Sequence, residues 1–301
     1  MQNRVLLLIS VSNCRFLSAK IHYFCNLTTF LPMILLLSPS KTQDFETAHL
    51  LEKKQTLPLQ KPYFQTEIEN LVALLKKFDT AELESLMQIS PKLALLNQGR
   101  FKTFDPTFER AHQQKPAIFA FQGDVYEGLE ARDFSEKELL FAQKHLLILS
   151  GLYGILQPLD SIQPYRLEMK TALKGKVKEG ESDFTFKNLY EFWGEKLSQR
   201  LLALAGEQKI VNLASQEYFK AIQTKSFTKK LKEKVINIHF KEKKGNRYSV
   251  VAIFAKKARG RMARFAIQHQ IQDPEALKSF QDERYQFLAD LSTECDWVFG
   301  R

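Results

Sequence analysis

An unbroken apolar run, MILLL at 33–37, leads directly into the polar turn SPSK at 38–41, which predicts a buried strand opening an α/β unit. Helical spacing follows. Over 66–77, Ile68, Leu71, Val72, Leu74 and Leu75 share one face, with Thr66 placed to cap. The segment 80–90 repeats the pattern behind Thr80, and Pro91 starts a third helix that should end at Gly99. KPAIFAF at 115–121 reads as a buried strand, 135–144 as a helix, and LLILS at 146–150 as another strand. Gly151, Gly154, Pro158 and Pro164 make 151–169 a long, ordered, non-helical loop. A linker-like LKGKVKEGES follows, then a Trp-containing helix over 188–206 and a strand, KIVNLA, over 209–214. Strands over 235–240 and 248–255 flank the charged turn KEKKGNR, and an Arg-rich helix begins near Lys256. No repeat is visible and no cut point divides the chain. The expectation is one mixed α/β domain, a mixed β-sheet surrounded by helices.

Composition supports a packed core, since 44% of the 301 residues are hydrophobic and 26% charged, outside the disordered class. The net charge of +10 is unevenly spread. Between Lys220 and Arg264, fifteen Lys and Arg stand against two acids, Glu233 and Glu242, and no acid occurs from Lys243 to Gln272. The rest of the chain is weakly acidic. Such asymmetry points to a polyanionic partner, nucleic acid before an acidic membrane surface. Cys14, Cys25 and Cys295 form neither a disulfide framework nor a metal spacing, which fits a reducing cytoplasm. No apolar run reaches the roughly 18 residues of a membrane span. Residues 1–32 carry a short apolar patch followed by Asn13, Cys14, Arg15 and Lys20 where a signal peptide needs small residues. They are expected to be a poorly packed extension, with Met33 opening the working domain, 33–301.

The densest cationic element is AKKARGRMARF at 255–265, holding Lys256, Lys257, Arg259, Arg261 and Arg264. At 100° per residue these span more than one helical face, while Ala258, Met262, Phe265 and Ala266 can face a core. Arginine forks match phosphate oxygens in pairs, so the group is a candidate phosphate-contacting patch, backed by the lysines of 225–244. The alternative is a solvated helix whose arginines pair with acids from elsewhere in the chain.

Polar residues also gather after predicted strand ends, where α/β sheets build their sites. Ser38, Ser40 and Lys41 would suit a phosphate, although the P-loop glycines are missing, and S-x-x-K lacks its companion elements. Asp124, Tyr126, Tyr165, Arg166, Glu168, Asn188, Tyr190, Glu217 and Lys220 could line one cleft. As a nucleotide or base pocket, Tyr153 or Tyr165 would stack and Asp124 or Glu168 act as acid/base, with Arg166 as a further catalytic candidate. The competing reading is a buried polar network that holds the long loop. The six histidines are isolated, so neither a metal site nor a cofactor is implied.

Six phrases in order carry a resemblance: LLSPSKTQDFE (36–46), FQGDVYEGL (121–129), LSGLYGILQPLDSIQPYRLEM (149–169), NLYEFW (188–193), NLASQEYFKA (212–221) and AKKARGRMARF (255–265). The chain from Met33 to Arg301 resembles the YaaA peroxide-stress-response family of bacterial cytoplasmic proteins. That resemblance implies a helix-hairpin-helix-like element, a basic cleft and sequence-independent binding of DNA. It also implies protection against peroxide damage linked to lowered intracellular free iron, with no secure enzymatic activity. The helix-hairpin-helix would fall between Thr66 and Arg100, where Ser90 and Lys92 could reach a backbone phosphate, although Gln88 to Lys92 lacks the usual glycine. Lys41 and Lys220 complete the expected DNA contacts. The rival function is an enzyme acting on a nucleotide or damaged base, held by the basic stretch.

Overall fold

The buried run at 33–37 forms the strand about which the sheet is built. The computed structural model describes residues 32–46, 59–110, 114–227, 229–245 and 247–301, so the expected extension lies, apart from Pro32, outside the described residues. In chain order the strands are β1 (Met33–Leu37), β2 (Lys115–Pro116), β3 (Leu146–Ser150), β4 (Gly154–Leu156), β5 (Ser161–Ile162), β6 (Gly175–Glu179), β7 (Ser182–Phe186), β8 (Lys209–Asn212), β9 (Val235–Lys244), β10 (Arg247–Ser249), β11 (Gln286–Phe287) and β12 (Asp296–Gly300). The helices are α1 (Gln65–Leu75), α2 (Thr80–Met87), α3 (Pro91–Thr103), α4 (Ala117–Ala120), α5 (Asp124–Leu129), α6 (Glu136–His145), α7 (Leu189–Trp193), α8 (Lys196–Ala205), α9 (Gln216–Phe219), α10 (Lys229–Lys234) and α11 (Ala252–Gln268).

One mixed sheet of eight strands runs β4-β3-β1-β8-β9-β12-β11, with β10 paired to β9. Its middle is parallel: β1 pairs with β3 and β8, and β9 with β8 and β12. The outer partners β4, β11 and β10 are antiparallel. Every residue of β1 and β3 is buried, as strands covered on both faces require. Helix α6 starts on a capping box: Ser135 Oγ accepts from Glu138 N and the Glu138 carboxylate accepts from Ser135 N. Both α6 and α11 pack on β1 and on each other. The mixed α/β single domain expected from the sequence is what forms.

Several elements differ from expectation. The run at 115–121 is a two-residue strand followed by α4, because a short, wholly apolar stretch carries no periodicity to separate strand from helix. The linker-like stretch is the hairpin β6–β7, turning at Gly180, with Val177 and Phe184 packed against the core. Asp79, not Thr80, caps α2, and Phe64 precedes α1 without a side-chain cap, so Thr66 has no capping role. Gly99 lies inside α3, which continues to Thr103. The single Trp-containing helix is split at Gly194 into α7 and α8. The strand expected to run on to Ala255 stops at Ser249, and α11 begins at Ala252, so Lys256 sits in its second turn.

The long loop after β3 is held by buried polar groups. Ser150 Oγ and Tyr165 OH are 2.7 Å apart, and Gln163 N donates to Tyr153 OH at 2.8 Å. Gln163 also exchanges hydrogen bonds with the backbone of Asp105, at 2.9 and 2.7 Å. Tyr153 and Tyr165 are 0% and 2% exposed, which removes both as stacking surfaces for a base and favours the network reading of these two residues. Asp160, in the same loop, accepts from Gln157 N at 2.8 Å. Burial pushes its carboxyl up to about 7, against the opposing pull of that N–H and of Arg200.

A carboxyl whose folded pKa exceeds its unfolded one holds its proton longer when folded, so its contribution to stability is lost as pH rises from about 4 to about 7. Asp160→Asn keeps an acceptor for Gln157 and removes the charge. Thermal melts across pH should show the variant matching the parent near pH 4 and exceeding it at pH 8, by up to about 4 kcal/mol.

Candidate functional site

The connections of the sheet make one place where neighbouring chain ends diverge. From the carboxyl end of β1 the chain passes to the β3 side, and from that of β8 it passes to the β9 side. Crevices at such a switch point are where open α/β sheets bind ligands. A cavity of about 530 Å³ opens there. Ser38, Ser40, Lys41 and Thr42 enter it after β1, Leu213, Ser215, Glu217 and Tyr218 after β8, and Glu168 from the long loop.

The remaining wall comes from two helices that touch backbone to backbone. A Cβ on Gly128 of α5 would stand 2.2 Å from the Lys257 carbonyl oxygen, and one on Gly260 of α11 would stand 1.8 Å from that of Val125. Only glycine at both positions permits this approach. The crossing brings Gln122 to Val125 from one side and Lys256 and Arg259 from the other into the cavity wall. Gly123, at φ +94°, makes the turn into α5 in a conformation that side chains disfavour.

Helical spacing divides the five cations of α11 into two stripes. Lys256 and Arg259, three residues apart, line the cavity. Lys257, Arg261 and Arg264 follow the other stripe. Arg261 pairs with Asp282 at 2.8 Å and Glu283 at 2.6 Å. Arg264 donates to the carbonyls of Leu129 and Glu130 at 3.3 and 2.9 Å and pairs with Glu130 and Asp133. It therefore caps the carboxyl end of α5. For these two arginines, pairing with acids from elsewhere describes the structure.

Inside the cavity the charges are unequally matched. Glu168 receives Lys41 at 2.9 Å, Arg166 at 3.2 Å and Lys170 at 3.8 Å. Lys256 stands 3.6 Å from Asp124. Arg259 makes no ion pair among the described residues, and its buried Nε has no hydrogen-bond partner. Burial holds its guanidinium below the ordinary value. Ser38 Oγ accepts from Ser215 N at 2.8 Å and donates to Ser215 Oγ at 3.3 Å, which leaves the Ser215 proton for a ligand.

Of the expected cleft residues, Ser38, Ser40, Asp124, Glu168 and Glu217 meet here. Tyr126 is buried beneath, donating to Ser38 O at 3.0 Å. Tyr165 is buried, Arg166 stands behind Glu168, and Asn188 caps α7 by accepting from Glu191 N. Tyr190 donates to Glu217 O at 3.0 Å, and Lys220 lies over its ring. Ser90 caps α3, leaving Lys92 exposed on that helix away from the cavity lining. Sequence reasoning does not single out Ser215 or Gln122, and the only available signal for Ser215 is its position just past the strand 209–214.

A second cationic feature is the β9–β10 hairpin. Its register sets Lys244 directly opposite Arg247 and Lys243 opposite Tyr248. Lys243, Lys244 and Arg247 are exposed. Like charges facing across strands repel, unless an anion lies over them.

Two substitutions test this assembly. Gly260→Ala must separate α5 from α11, so it should cost about 3 kcal/mol or more in denaturant unfolding. Arg264→Ala, which removes the cap on the carboxyl end of α5, should lower stability by about 1–3 kcal/mol, as calorimetric melts would report.

A family profile described as "Peroxide stress protein YaaA" matches residues 33–291. A UPF0246 protein of Caulobacter sp. (strain K31) is 47% identical over 272 residues, covering 89% of this chain and 99% of that protein. Others from Acaryochloris marina and Ralstonia nicotianae are 45% and 44% identical, each covering 89% of this chain and 100% and 99% of their own lengths. The chain belongs to the peroxide stress protein YaaA family, whose relatives carry the name UPF0246.

Proposed function

We propose that this peroxide stress protein binds DNA through its phosphates, without sequence preference. The observation that carries the reading is the exposed basic surface of the C-terminal third. Lys225, Lys232, Lys243, Lys244 and Arg247 are exposed and make no ion pair among the described residues, and Lys257 adds a partly exposed charge on α11. Arg261 and Arg264 are spent within the fold, so the DNA-facing surface centres on the β9–β10 hairpin instead of the whole Arg-rich helix. Lysines on a hairpin offer point charges to a polyanion and no arrangement for reading base edges. The hairpin pair Lys244 and Arg247 gains most from an anion, which relieves its own repulsion.

Protection of DNA against peroxide then follows from coverage of the duplex. The expected link to lowered free iron draws nothing from the described residues, in which no group of three or more His, Cys, Asp or Glu is placed to hold a metal. No helix among the described residues is long and apolar enough to cross a membrane.

The test is fluorescence anisotropy of the full chain on duplexes of scrambled sequence at several salt concentrations. Affinity should be equal across sequences and fall linearly on a log-log plot against salt. The combined change Lys243→Ala, Lys244→Ala and Arg247→Ala should weaken all sequences alike and shallow the slope by up to about 3, near 1 for each phosphate that a removed cation neutralised. Absence of binding at low salt, or a triple variant indistinguishable from the parent, overturns the reading.

A further inference from the structure

The cavity at the switch point is not explained by a surface that tracks a DNA backbone. It is a recess in the protein, and its wall contains Arg259, which makes no ion pair among the described residues and whose buried Nε has no hydrogen-bond partner. Burying an uncompensated guanidinium costs stability, and such costs persist where a ligand supplies the missing charge. The neighbouring groups define that ligand. Arg259 offers a planar fork, Ser215 a free hydroxyl proton, and Lys256 and Lys41 stand on the cavity wall, each on one carboxylate partner and more than half exposed. These suit a tetrahedral, doubly charged oxyanion better than a singly charged carboxylate. The volume of about 530 Å³ exceeds what a bare anion needs and lies within the roughly 300–1,000 Å³ of small-molecule pockets. Further round the wall, Val125, Leu213 and Tyr218 supply apolar surface, and Asp124 and Glu217 supply acceptors for hydroxyl or amino groups.

We propose that this cavity is a phosphomonoester site for a nucleotide. Arg259 and Ser215 hold the phosphoryl oxygens, and Asp124 and Glu217 accept hydrogen bonds from the nucleoside. The same chemical group occurs on a free mononucleotide and on the phosphorylated end of a DNA strand. The site is separate from the β9–β10 hairpin and stands whether or not the hairpin binds a duplex.

The test is isothermal titration of the full chain with adenosine 5′-monophosphate, inorganic phosphate, adenosine and glutamate. The monophosphate should bind more tightly than phosphate, while adenosine and glutamate bind far more weakly. Arg259→Met should reduce monophosphate affinity by about 10- to 100-fold, the loss expected for charge-assisted hydrogen bonds. The same variant, freed of an unpaired buried charge, should melt no lower than the parent without ligand. Arg259→Lys, which keeps the charge and loses the fork, should fall between the two. Competition against bound monophosphate by oligonucleotides ending in a 5′-phosphate or a 5′-hydroxyl separates the sources. Displacement by the phosphorylated end alone assigns a strand end, and displacement by neither assigns a free nucleotide. The hairpin triple variant should retain monophosphate affinity, so loss of DNA binding and loss of this site are read independently. Monophosphate binding no better than adenosine, glutamate binding more tightly than the monophosphate, or unchanged affinity in Arg259→Met overturns the proposal.

Discussion

The contact on which the candidate site depends is the crossing of α5 and α11 at Gly128 and Gly260. Each glycine presents backbone to the other helix at a separation that no side chain tolerates. The consequence reaches well beyond packing. Close approach sets the start of α5, with Asp124, beside the cavity-facing stripe of α11, with Lys256 and Arg259, in the lining of one opening. It also brings the carboxyl end of α5 under Arg264, which satisfies carbonyls that the short helix leaves free. Parallel strands β1 and β8 supply the floor because their chains part in opposite directions there.

Charge within this assembly is distributed by function. Arg261, Arg264 and Arg301 are joined to acids around residues 130–133, 242 and 282–283, where they fasten loops to the helix and sheet. The exposed lysines and Arg247 of the hairpin remain available to a polyanion at the surface. Arg259 is the exception to both groups, half-buried and unpaired. A net charge alone therefore conceals three populations with different effects on stability and binding.

Much of the architecture could be read from the residues, and the failures have physical causes. The apolar runs MILLL of β1 and LLIL at 146–149 of β3 announce strands buried on both faces, and Ser135 with Glu138 announces the start of α6. Val250 to Phe254 misleads, because β-branched and aromatic residues that read as a core strand lie largely exposed, from Ala252 on in the first turn of a helix. The LKGKVKEGES segment misleads in the opposite direction, since its apolar positions are too sparse to announce a hairpin. Ser38, Ser40, Asp124, Glu168 and Glu217 are legible as polar residues beyond strand or loop ends. Tyr153 and Tyr165 have the same local look, and only the fold reveals their burial. The division of the α11 cations was latent in their spacing, but its meaning needed the positions of Glu130, Asp133, Asp282 and Glu283, distant in sequence from the helix.

Whether Arg259 waits for an oxyanion at the carboxyl edge of the sheet decides what the cavity is for. The decisive measurement is a crystal structure of the protein grown with adenosine 5′-monophosphate. Phosphate density is expected within hydrogen-bond distance of the Arg259 guanidinium and the Ser215 hydroxyl. A monophosphate seated elsewhere, with the Arg259 guanidinium turned onto a protein carboxylate, would contradict this assignment.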